Sequence, residues 1–163
     1  MAKVNVDRTV AALLALDGRI DEATKQIAGD AACVVRDMSA LYARSGSPGN
    51  STNPPGDLKR SIDVEGPVGG DGVYMARVGP TVESMNPGPG GSIRNYGRIQ
   101  ELGGVITPRV SQRLAFTIYG EFRTAMFVVR PPRPYMKPGR EQSLPHIEEL
   151  ASSEIAKAIA GGV

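Results

Sequence analysis

One histidine and one cysteine are all the imidazole and thiol this chain carries, and their settings narrow the chemistry available. His146 stands where a last helix should begin, with no second histidine to share a metal and no serine or cysteine arranged as a nucleophile, so it lacks the partners of a general base. Cys33 lies in the apolar run Ala31-Ala32-Cys33-Val34-Val35. A single thiol closes no disulfide and assembles no cysteine-based metal site within one chain, and it reads as a buried, inert group. The acids are scattered. Glu148 and Glu149 are adjacent and point to different sides of a helix, while Asp17 and Asp21, four apart, suit a solvated helix face better than a cation site. The glycine-rich runs lack the spacing and the Lys-Ser/Thr ending of a phosphate loop. These residues predict a protein that is not an enzyme and holds no cofactor or metal. A hydrolase would need a reactive pocket around His146.

Charge is distributed unevenly. The net charge is +2, yet residues 94–140 carry nine Lys/Arg against two Asp/Glu, whereas residues 1–93 carry nine against eleven and residues 141–163 one against four. A block of +7 meets phosphates or an acidic protein face equally well, because Coulomb attraction does not distinguish them. Arg94, Arg98, Arg109 and Arg113 are the candidate basic residues facing DNA or a partner. Tyr96, Phe116, Tyr119, Phe122, Phe127 and Tyr135 interleave with Arg94, Arg98, Arg113, Arg123, Arg130 and Arg133, a mixture able to stack bases and touch phosphates. No helix-turn-helix, zinc-finger or RNA-binding signature sharpens this, and aromatics alternating along strands also serve as core. A small basic nucleic-acid-binding protein is the reading that follows if they do not.

At 163 residues and 17.2 kDa the chain has the size of one domain over 1–163, enough to bury roughly 68–70% of its unfolded surface. No run of 18 apolar residues appears, and the start is too polar to open a signal peptide, so a cytosolic product is expected. From Asp7 to about Arg44, Leu13, Leu16, Ile20, Ala23, Ile27, Ala31, Val34, Met38 and Leu41 recur at helical steps. This is one long helix or two in line: Gly18 and Gly29 each cost roughly 1 kcal/mol relative to Ala, and Asp17-Gly18 marks a kink, or a break with a restart near Asp21. The stripe is also heptad-like, so it serves either to cover its own sheet or to contact another subunit.

Two Gly/Pro-rich segments, about 45–56 and 84–93, read as exposed loops, the second one mobile in the isolated protein. Asp57 caps a short helical turn ahead of strands at Ile62–Val64 and Val73–Val78, with residues 66–72 as the turn between them. Further strands are expected at Val105–Ile106, Arg113–Ile118 and Ala125–Val129, joined by short connections into one small antiparallel sheet. A C-terminal amphipathic helix follows from about Ser143 to Ala160, with Pro145 tolerable in its first turn. The fold class is α+β: a long N-terminal helical region, a small antiparallel sheet and a C-terminal helix.

Three short patterns carry a resemblance. Gly56-Asp57-Leu58-Lys59-Arg60-Ser61-Ile62 matches Gly-x-Leu-(Lys/Arg)-x-Ser-Ile; Tyr96, Glu101 and Gly103 match Tyr-x-x-x-x-Glu-x-Gly; and Pro131 through Pro138 match Pro-x-Arg-Pro-aromatic-x-x-Pro. In this order, over about residues 56–160, they resemble the neck, or tail-completion, family of long-tailed siphophages. The resemblance implies a structural virion protein made in the host cytoplasm. It would form a ring, hexameric as in neighbouring tail rings, between the head connector and the tail, with DNA passing through the lumen and no membrane involved. A stopper ring and a tail terminator or tube protein would be its partners, and a tail terminator capping the tube is the alternative of the same class. Tyr96, Glu101, Gly103, Arg130, Arg133 and Tyr135 are the implied ring contacts. Physically, Gly103-Gly104 permits a close turn after Glu101, and Pro131, Pro132 and Pro134 stiffen the backbone and deny donors to a sheet edge. Arg133 and Tyr135 either pack the last helix onto the sheet or reach a neighbour. A Glu101–Arg133 ion pair would lock the two segments together.

Overall fold

The computed structural model describes residues 6–43, 57–81, 93–108, 111–118 and 120–161. Helix α1 spans Val6–Tyr42, followed by α2 (Asp57–Ser61), β1 (Ile62–Gly70) and β2 (Val73–Pro80). Then come α3 (Ile93–Leu102), β3 (Gly104–Ile106), β4 (Leu114–Ile118), β5 (Glu121–Ala125), β6 (Val128–Arg130) and α4 (Met136–Ala160). The class is α+β, as the sequence predicts. The Gly/Pro-rich loop at 45–56 and residues 84–92 of the second one, with the mobility expected there, lie outside the described residues.

Four local expectations meet their outcome. Of the two arrangements open for the N-terminal stripe, one long helix is formed and the break is not: α1 is one element of 37 residues that runs through Gly18 and Gly29. Strong helix formers such as Ala11, Ala12, Leu13 and Leu14 precede Gly18, and in a helix this long the cost of one glycine is spread over many formed turns. Second, among the described residues the strands form not one sheet but three two-stranded ones, β1 with β2, β3 with β6 and β4 with β5. Third, residues 66–70 extend β1 rather than turning; the turn narrows to Asp71-Gly72, whose φ values of 52° and 75° suit the two-residue turns that follow strand twist. Fourth, the strand expected at Ala125–Val129 divides into the end of β5 and the start of β6, with Met126 and Phe127 between them. Helix α3 was not foreseen at all, because Gly97 and the preceding Gly/Pro run mask its period.

The chain divides into two compact units. The first comprises Met1–Val34, Val64–Arg77 and Ser143–Val163, the second Val35–Asp63 and Val78–Gln142. In the first, the Asp21 carboxylate on α1 accepts the Gly72 N–H at 2.8 Å and the Tyr74 hydroxyl at 2.6 Å, which ties the β1–β2 turn to the helix. Those two bonds hold the Asp21 carboxyl below its ordinary value, and the same hydrogen bond pushes the Tyr74 phenol up to about 12.

The second unit holds the packed centre. Ala43, Leu58, Ile62 and Tyr135 are buried together, with Ala40, Val78 and Met136 against them. In β4–β5, Leu114 faces Ala125 and Phe116 faces Arg123 across an antiparallel ladder. Leu114 and Phe116 are half-buried and Ala115 between them is exposed, the alternation of a strand with one covered face. Cys33, expected buried, is half-buried on α1.

Candidate functional site

The three patterns noted in the sequence are 30 to 40 residues apart, and the second unit brings them together. From the first come Leu58 and Ile62, 4% exposed each, and Ser61, fully buried, whose hydroxyl donates to the Leu58 carbonyl at 2.8 Å. The Ser61 carbonyl in turn accepts the Thr81 N–H at the end of β2. From the third comes Tyr135, 2% exposed, which packs against Leu58 and Ile62. The second pattern, on α3, fits between them: a methyl group at Gly97 would stand 2.8 Å from the Pro80 ring and 2.9 Å from the Tyr135 hydroxyl. Helix α3 therefore passes closer to the tyrosine than any side chain there would allow.

Glu101 performs the defining task. Its Oε2 accepts the N–H of Tyr135 at 2.6 Å and of Met136 at 2.9 Å, and its Oε1 accepts the N–H of Lys137 at 3.0 Å. A helix start leaves its first N–H groups without partners. Here the next residue, Pro138, has no N–H, and the Gly139 N–H already reaches back to the Tyr135 carbonyl at 3.2 Å. One carboxylate thus satisfies every donor that the α4 start leaves open, and its negative charge lies at the positive end of the helix. Burial, and then the Glu101 charge, push the Tyr135 phenol up to about 12, so it stays protonated at neutral pH.

The same two segments are joined twice more. The Arg133 N–H donates to the Gln100 carbonyl at 2.7 Å, and β3 pairs antiparallel with β6 in the register Gly104 to Arg130, Val105 to Val129 and Ile106 to Val128. Gly103 makes the turn between α3 and β3 at φ 72°, and a Cβ there would lie 2.8 Å from the Pro132 nitrogen and 2.9 Å from the Arg130 carbonyl. Only a glycine meets both demands.

The expected Glu101–Arg133 ion pair is not formed. Glu101 spends both oxygens on the helix start, and Arg133 joins α3 through its backbone while its side chain is exposed. Among the other named residues, Glu101, Gly103, Arg130 and Tyr135 gather in this junction, with Arg130 half-buried at the end of β6. Tyr96 and Arg94 lie on α3. Arg98 is exposed on the same helix, Arg113 is exposed just before β4, and Arg109 lies outside the described residues.

Helix α4 begins at Met136, seven residues before the expected Ser143, which places Pro145 in the helix interior instead of its first turn. The cap comes from a side chain 34 residues upstream, so no local rule finds it. Residues the sequence reading missed include Gln100, Gly97 and the pair Ser39 and Gly139. At that pair a Cβ on Gly139 would meet the Ser39 hydroxyl, with the Ser39 Cα at 2.6 Å. His146 is exposed on α4. Among the described residues no group of three His, Cys, Asp or Glu is gathered for a metal ion, and no helix is long and apolar enough to cross a membrane. What the junction offers chemically is rigidity: a carboxylate, a buried phenol and a glycine turn that fix a helix to a short sheet.

Comparison with protein-family models, curated proteins and solved structures finds no match for the chain.

Proposed function

We propose that this chain is a structural virion protein that forms a ring at the neck of a long-tailed phage, joining the head connector to the tail. The observation that carries the reading is the imbalance between what the chain buries and what it leaves uncovered. Among the described residues the buried apolar set is Ala32, Ala43, Leu58, Ile62 and Tyr135, while Leu14, Leu41, Val73, Phe122, Met126 and Val129 are each more than 60% exposed. Scattered surface apolar residues are ordinary, but so many large ones beside so small a core suit a subunit whose burial is completed by neighbours. The three patterns that resemble the neck family also converge on one junction, as patterns with a shared structural role should.

In this reading the ring is hexameric, as the resemblance implies, and closes through head-to-tail contacts between identical subunits. The rigid α3–β3–β6–α4 junction keeps each subunit's contact surfaces in fixed orientation. The basic residues meet an acidic face of an adjacent ring, or DNA in the lumen weakly and without sequence preference. The partners are the connector or stopper ring above and the tail terminator or tube below. The protein is made in the host cytoplasm and ends in the virion.

Electron microscopy of a lysate from phage with this gene disrupted tests the reading. Filled heads and finished tails lying unattached are expected. Overlong tails would move the chain to the tail terminator, and normal infectious particles would overturn the assignment and favour a nucleic-acid-binding role.

A further inference from the structure

Charge divides along the same boundary as the two units. The first unit carries six Lys/Arg against ten Asp/Glu, a net −4, and the second thirteen against seven, a net +6. Each also leaves apolar residues uncovered, and in each a set of them shares one face. On α1, helical spacing places Val10, Leu13, Leu14, Asp17 and Asp21 on one side. At Asp21 that side is covered by the chain's own β1–β2 turn. Toward the N-terminus it continues uncovered, with Val10, Leu13 and Leu14 at 49%, 60% and 67% exposed. The exposed Asp17 lies in the middle of the stripe. In the second unit, Val105 and Val129 are cross-strand partners on one face of β3–β6 and are 59% and 64% exposed. Phe127 and Leu102 are exposed beside them in sequence, and Arg98 stands four residues before Leu102 on the same side of α3.

We infer that these two faces are partners in successive copies of this chain: the Val105–Val129 face of one copy docks on the Val10–Asp17 stripe of the next. The occupant follows from charge. Pairing like faces would set Asp17 against Asp17 or Arg98 against Arg98, whereas pairing unlike faces sets Arg98, from the basic unit, against Asp17, from the acidic one. Because the two faces differ, the contact is heterologous and repeats from copy to copy, closing into a ring when the rotation allows. The inference names the contact that the ring reading requires and rests on that reading.

Sedimentation velocity on the purified full chain with two single variants tests it. Leu13→Lys spoils only the α1 stripe and Val129→Asp only the β3–β6 face, each by setting a like charge against the opposing face, and both positions are already exposed. The native chain is expected to self-associate beyond a dimer, less so as salt rises. Each variant alone should lose association by about tenfold or more, since a charge then faces an apolar surface. Mixed in equal amounts, the two variants should form a heterodimer that stops there, because the one intact face on each copy finds its match. A native chain that stays monomeric at every concentration, variants that associate like native, or a mixture that stays monomeric would overturn the inference. So would pairing by Val129→Asp alone, which would mean that α1 stripes meet each other. If circular dichroism shows either variant misfolded, Asp17→Lys and Arg98→Glu probe the same faces by charge, each weakening association by about tenfold; unchanged association would again overturn it. Unattached heads and tails in the phage experiment, together with variants that assemble normally, would remove this contact and leave the neck reading standing.

Discussion

The Glu101 carboxylate accepts the Tyr135 N–H at 2.6 Å across 34 residues of chain, and this contact sets where α4 begins. The residue is not at the cap position of its own helix or of α4. It reaches from the last turn of α3 to the first N–H groups of another helix, and so couples the two helices.

Exchanging Glu101 for alanine should therefore destabilise the protein by about 2–3 kcal/mol, the range for losing a helix cap whose hydrogen bonds are to a charged group. Arg133→Ala should stay within about 0.5 kcal/mol of native, as an exposed side chain does. Urea denaturation of the two variants checks this. Equal losses would restore the ion pair between them and remove the capping account.

How much of this junction was legible in the sequence depends on the range of each interaction. Tyr96, Glu101, Gly103, Arg130, Arg133 and Tyr135 stand out through the patterns that resemble the neck family, and the structure gathers Glu101, Gly103, Arg130 and Tyr135 in one junction that Arg133 joins through its backbone. The turn at Gly103 follows from local backbone geometry, so the sequence shows it. The cap does not, because a carboxylate able to serve a helix 34 residues away looks like any surface acid. The early start of α4 was lost with it: Pro134, Pro138 and Gly139 all argue against a helix by local propensity, and the Glu101 contact overrides them. The division into three small sheets was likewise hidden, since alternation reveals strands but not their partners.

Gly139 offers a case where two effects oppose each other. In a helix interior, Gly→Ala ordinarily gains about 1 kcal/mol. Here the new methyl would meet the backbone of α1, 2.6 Å from the Ser39 Cα and 2.7 Å from its nitrogen, and neither atom belongs to a flexible side chain. Overpacking of this kind costs about 1–3 kcal/mol. Gly139→Ala is expected to lower the urea midpoint; a rise would mean the two helices separate at little cost.

Ser39 itself should tolerate replacement. It is fully buried, and its hydroxyl has no hydrogen-bond partner. A buried hydroxyl left unsatisfied is a cost, so Ser39→Ala should be neutral or raise stability by about 1 kcal/mol, and should also relieve part of the clash in Gly139→Ala. A double-mutant cycle in thermal unfolding measures both. A loss for Ser39→Ala alone would indicate a bonded water at the site.

The Asp21–Tyr74 bond makes the first unit's hairpin sensitive to pH at both extremes. The Asp21 carboxyl is held below its ordinary value near 3.8, so its contribution is present above that value and is lost as pH falls through the folded-state value. The Tyr74 phenol is raised from 10.0 to about 12, so its contribution is complete below 10.0 and is lost as pH rises through about 12. Between these limits the bond should hold the hairpin to α1 unchanged. Tyr74→Phe removes the dependence at high pH and should lower the urea midpoint at neutral pH. It also separates the two late-titrating phenols, because Tyr135, raised to about 12 by burial before charge, remains. An absorbance titration should show one late tyrosine fewer in the variant than in the native chain. If the variant shows as many, the Tyr74 hydroxyl is not bound to Asp21, and the hairpin is tied to the helix by the Gly72 N–H alone.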